Sequence, residues 1–105
     1  MKPTDLPGLG RVAKMDGTAF AAMQRANLFA KFEISTAVSA DESRLVAGER
    51  PCWLVPLRLT MPDIGPLGVI GEVRVDASTG EVLAGADDVA RMNDHADRLA
   101  QRAAL

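Results

Sequence analysis

The chain has 105 residues, enough for one modest hydrophobic core and too few for two. Its 12 Lys and Arg residues are scattered among 14 Asp and Glu, leaving a formal charge of −2, which implies no sequence-independent attraction to nucleic acid or anionic membrane. A single cysteine, Cys52, excludes an intrachain disulfide and any multi-cysteine metal site built from one chain.

Residues 1–17, MKPTDLPGLGRVAKMDG, carry two prolines and three glycines in no sustained period. They are expected to form an irregular arm ahead of a single domain over residues 18–105. The arm lacks a signal-peptide core, and no run of about eighteen apolar residues occurs anywhere. We therefore expect a cytoplasmic protein with no membrane span, export being open only if a signal has been removed.

Thr18 is a helix N-cap, and Ala19, Phe20, Ala22, Met23, Ala26, Phe29 and Ala30 share one broad face, which predicts a helix over residues 18–31. Gln24, Asn27 and Lys31 fall on its polar side. Phe32, Ile34, Thr36 and Val38 then alternate with polar or small residues, the period of a half-buried strand. Residues 39–44 read as a loop, and Leu45 to Ala47 as a brief resumption of pairing before Gly48.

In the next strand Trp53, Val55, Leu57, Leu59 and Met61 form the core row. Pro56, without an N–H, belongs at an edge, at a bulge, or where its N–H would point outward. PDIGPLG reads as a long connection, after which Val69, Gly71, Val73 and Val75 make a second core row. Asp76 to Glu81 has the chemistry of a bulged hairpin, with Asp76 bonding amides ahead of it and Gly80 at positive φ. Past Gly85 a second helix is expected, with a stripe of Val89, Met92, Ala96, Leu99 and Ala103 and with Asp87–Arg91 and Asp94–Arg98 pairs. We expect that stripe to pack on the domain's own sheet.

Polar residues with catalytic potential all have simpler uses. His95 stands alone on the second helix without a metal-ligand spacing, and Cys52 has no base beside it in sequence. Asp76 is a turn residue, while Glu72 and Glu81 are expected to pair across strands with Arg58 and Arg74. Asp63 completes the carboxylates of this region, and no spacing matches a calcium loop. The glycines of GPLGVIG precede a strand instead of opening a helix, so they form no phosphate cradle. Trp53 reads as a core anchor, with a place at an interface as the other reading.

The segment WLVPLRLT…VIGEVRVDASTGEVL, and VRVDASTGEVL at 73–83 most closely, resembles the PepSY-like domains. The resemblance implies a helix-then-sheet module that binds or restrains partner proteins and carries no shared catalytic residues. The helix after the sheet is an addition to the minimal unit of that family.

The expected architecture is α+β: an antiparallel sheet of three to four strands covered by an N-terminal helix, with an additional C-terminal helix. The expected function is non-catalytic protein binding or regulation through a sheet edge or terminal helix, with no cofactor and no metal. Pro56, Asp63, Ile64, Leu67, Val89, Met92 and Leu99 are the candidate partner-binding residues. Two other readings are a small-molecule binder or minor enzyme, with a pocket lined by Phe20, Met23, Trp53 and Leu57, and a self-associating accessory subunit using the Val89, Met92, Ala96, Leu99 stripe.

Overall fold

A computed structural model describes residues 18–104; the expected arm over residues 1–17 lies outside them. The elements run α1 (Ala19–Glu33), β1 (Val38–Ala40), β2 (Arg44–Val46), β3 (Cys52–Met61), β4 (Gly65–Asp76), β5 (Val82–Leu83) and α2 (Ala86–Ala103). All pairings are antiparallel, in the order β1-β3-β4-β5, with β2 also on β3. The expected α+β fold with two helices is present, and the sheet has five strand segments.

Thr18 caps α1 as expected, its Oγ1 accepting the Ala21 N–H at 3.0 Å. The helix continues through Glu33, two residues past its expected end, and absorbs the start of the strand foreseen from Phe32. Alternation alone was misleading there. An established helix gains one bond per added residue, and the Ile34 N–H still donates to Ala30 O at 2.9 Å. Ser35 then closes a turn, accepting the Ala37 N–H on Oγ and the Val38 N–H on its carbonyl, so pairing begins only at Val38.

Ala22, Ala26 and Ala30 are fully buried against Val38, Val55, Leu57, Leu59, Val73 and Val75. Methyl side chains let the helix approach the sheet closely, which leaves the larger Phe20, Leu28 and Phe32 on the far side, the last 83 % exposed. Met92 and Ala96 of α2 join the same core, so both helices cover one sheet face, as expected for the α2 stripe. The other face, bearing Leu54, Pro56, Glu72, Arg74 and Leu83, has no second layer among the described residues.

Two departures in β4 correct its expected core row. Leu57 pairs with Gly71 but Arg58 with Val69, which leaves Ile70 as an extra residue; Leu59 pairs with Gly68 but Thr60 with Pro66, which leaves Leu67. These bulges turn Ile70 into the core and Val69 out of it. The connection expected over PDIGPLG is also shorter: Ile64 N–H donates to Met61 O, and β4 starts at Gly65 with φ 99°. The Asp76 hairpin forms as expected, with Gly80 at φ 78°.

Candidate docking surfaces

The outer edge of β4 is the most extensive unpaired backbone among the described residues. β4 has 12 residues, yet β5 pairs only with Arg74 and Val75. Antiparallel bonding alternates sides, and the Asp76 N–H donates away from β3 to Glu81 O. By that alternation the Glu72 N–H and C=O also point outward, beyond the end of β5. Farther along, His95 Nδ1 lies 3.2 Å from Ile70 O and occupies that carbonyl.

The opposite edge is treated differently. Lys31 Nζ donates to Thr36 O and, at 3.1 Å, to Val38 O, while Asn27 Oδ1 accepts the Ala40 N–H at 3.0 Å. Two polar side chains of α1 thus cap the outward groups of β1, a way of blocking strand addition. β2 has an outer side with no strand, but it is only three residues long.

Pro56 lies in an interior strand, not on an open edge. Its carbonyl accepts the Asp41 N–H at 2.8 Å, so the N–H that proline lacks would face the same side. β1 pairs with residues 57–59 and β2 with 52–54, so the proline sits where the neighbouring strand is interrupted. Asp63 and Ile64 are exposed at the tip of the β3–β4 hairpin, while Leu67 is half-buried at a bulge. Among the helix candidates, Met92 is only 3 % exposed and Leu99 packs against the core, so the stripe is committed to the chain's own sheet. Val89 is half-buried and borders a cleft.

The four residues expected to line a pocket do not enclose one. Leu57 is sealed in the core, Phe20 faces solvent, and Met23 and Trp53 pack against the core. Of the described clefts, a small one beside β1 has Met23 in its lining with Gln24, Asn27 and Ala40, another lies on the polar side of α1, and two border α2. One of about 510 Å³ is bordered by Phe29 and Glu33 of α1 and by Ala84, Ala86, Val89 and Ala90. A second, of about 240 Å³, has Ile34, Leu59, Met61 and Ala96 as apolar lining and Asn93 and Asp97 among its polar residues. Between them Asn93 Nδ2 donates to Glu33 O at 3.3 Å, a polar rung across the groove.

The charged groups serve mainly as structural ties. Arg50 Nη2 donates to Asp76 Oδ2 at 2.5 Å, and the Ser78 and Thr79 N–H groups donate to Oδ1. That arginine first, then the two amides, holds the Asp76 carboxyl down at about 2. Arg58 and the Glu42 amide likewise lower Asp41. The expected cross-strand partners are thus reassigned: Arg58 pairs with Asp41, and Glu72 with Arg44 at 3.6 Å. In α2 Asp94–Arg98 forms as expected, but Arg91 pairs with Asp88, which also accepts the Gly85 N–H and caps the helix.

Cys52 and His95 are not within reach of each other along the sheet. Cys52 is buried opposite Asp76, whereas His95 sits against Ile70, six residues along β4 or about 20 Å at ~3.3 Å per residue. Among the described residues no three His, Cys, Asp or Glu side chains converge to hold a metal ion, and no helix is long and apolar enough to cross a membrane.

Sequence reasoning missed Arg50, Asp41, Lys31 and Asn27, because single long-range polar contacts leave no periodic trace. Comparison of the chain with protein-family models, curated proteins and solved structures finds no match in any of the three.

Proposed function

We propose that this chain is a non-catalytic protein-binding or regulatory module, and that its partner, another protein or a second copy, adds a strand to the outer edge of β4. The observation that carries this reading is the length mismatch on that edge: β5 covers two residues of a 12-residue strand, and on that side no other described strand pairs with the remainder. Main-chain groups directed outward supply affinity in strand addition, and alternate side chains supply selectivity. Glu72 and Arg74, both exposed, would set the charge pattern that such a partner meets. The Asp76–Gly80 hairpin, on which the resemblance to PepSY-like domains rests, is consistent with a restraining role of the kind found in that family, and we place the protein in the cytoplasm.

Glu72→Pro removes an outward N–H at an edge position that tolerates proline. The variant is expected to keep its circular dichroism spectrum and to lose the partner that co-purifies with the parent chain from its native host, as judged by size exclusion with light scattering. Retention of the partner by Glu72→Pro, or a parent chain that is monomeric and without a partner, would overturn the proposal.

A further inference from the structure

We infer that the groove along α2, walled by the end of α1, the α1–β1 turn and the end of β3, is a second docking site, separate from the β4 edge, and that it takes a short apolar peptide segment carrying Lys or Arg. The α2 wall is built from one flank of the helix. At about 100° per residue, positions 86, 90, 93, 97 and 100 share a side, and all five border the two clefts. Ala86 and Ala90 share a cleft with the end of α1, and Ala100 shares one with the α1–β1 turn and β3; side chains this small leave the groove open.

Charge decides the occupant. Glu33 and Asp97 are the only ionisable residues bordering the two clefts, and neither carboxylate meets a cation among the described residues. The cations nearest in sequence are committed elsewhere. Lys31 reaches the β1 edge, Arg25 donates to Gly80 O, Arg91 and Arg98 pair with Asp88 and Asp94, and Arg91, Arg98 and Arg102 lie on the opposite flank of α2. Two uncompensated negative charges above an apolar floor favour a positive charge with apolar neighbours and disfavour an acidic one.

Shape argues for a peptide over a compact ligand. The lining runs along α2 from Ala86 to Ala100, about 21 Å at ~1.5 Å per residue. An extended segment of about six residues covers that length at ~3.3 Å each. The two chambers to either side of the Asn93–Glu33 rung would hold separate side chains.

The test pans a phage-displayed random peptide library against the full chain, then measures each enriched peptide by fluorescence anisotropy. Enrichment of peptides that combine Lys or Arg with Leu, Ile, Val or Phe is expected. Their binding should weaken about tenfold or more in Glu33→Gln/Asp97→Asn and also in Ala90→Trp, which fills the groove, while Glu72→Pro leaves it unchanged. Circular dichroism identifies any variant that fails to fold; the carboxamide double variant removes both charges at nearly unchanged side-chain size. The proposal is overturned by no enrichment, by neutral or acidic peptides, by equal affinity for the double variant, by loss of binding in Glu72→Pro, or by a homodimer that the double variant dissolves.

Discussion

Met92 lies directly over Gly71. A Cβ at Gly71 would stand 2.7 Å from Met92 Cγ and 2.9 Å from its Sδ, inside van der Waals contact. Gly71 is the partner of Leu57 and therefore occupies a core-facing position of β4. Past the bulged Ile70, the next core-facing position of β4 that pairs with β3 is Gly68, where a Cβ would meet Leu99 Cδ1 at 3.8 Å. The sheet thus lacks side chains where α2 supplies them, and this is how the helix is seated.

Gly71→Ala is expected to destabilise the chain by about 1–3 kcal/mol, because the added methyl must displace a methionine already 3 % exposed. In Gly71→Ala/Met92→Ala the loss should be smaller than the sum of the single losses, since each change makes room for or fills the other. Urea unfolding of the four chains measures the coupling. An additive result would show that the two residues do not share this contact.

The bulge makes a separate prediction at Ile70 and Val69. Ile70 is 4 % exposed and Val69 is 41 % exposed, the reverse of what unbroken alternation requires. Ile70→Ala should therefore cost about 2–5 kcal/mol, and Val69→Ala less than about 1 kcal/mol. Equal losses in urea unfolding would contradict the bulged register.

Much of the fold is legible wherever a repeating pattern and local turn chemistry agree. Thr18, the β3 row, Asp76, Gly80 and the α2 stripe all fall into place for that reason. Legibility fails where one residue breaks the period. Ile70 resets the alternation of β4, and Ser35 draws two amides into a turn that postpones β1. The docking surfaces are harder still to read. The groove along α2 depends on where Glu33 and Asp97 come to lie after folding, and the capped β1 edge depends on Lys31 and Asn27, which look like ordinary solvent-facing helix residues.

Gly80 carries a φ of 78°, and its Cβ position lies 3.2 Å from the Arg25 guanidinium carbon. Gly80→Val should destabilise by about 1 kcal/mol or more, through positive φ and crowding together. Gly80→Asn, which tolerates that region better, should lose less. Thermal unfolding that leaves the valine variant at the parental midpoint would remove the hairpin assignment.

Asp76 gives stability a pH dependence whose direction follows from its partners. Its carboxyl, held at about 2 in the folded chain against an ordinary 3.8, is harder to protonate there than in the unfolded chain. The stabilisation from Arg50 and the turn amides is therefore fully present above about pH 4 and is lost as pH falls toward about 2. Asp41 and Asp88 are lowered too and add to the same loss. Asp76→Asn keeps an oxygen for the Ser78 and Thr79 amides but removes the ion pair with Arg50. Its unfolding midpoint should lie below the parent's at neutral pH, and the gap should narrow as both approach about pH 2. Urea titrations across this range measure the gap; if it stays constant, the low carboxyl pKa is not contributing to stability.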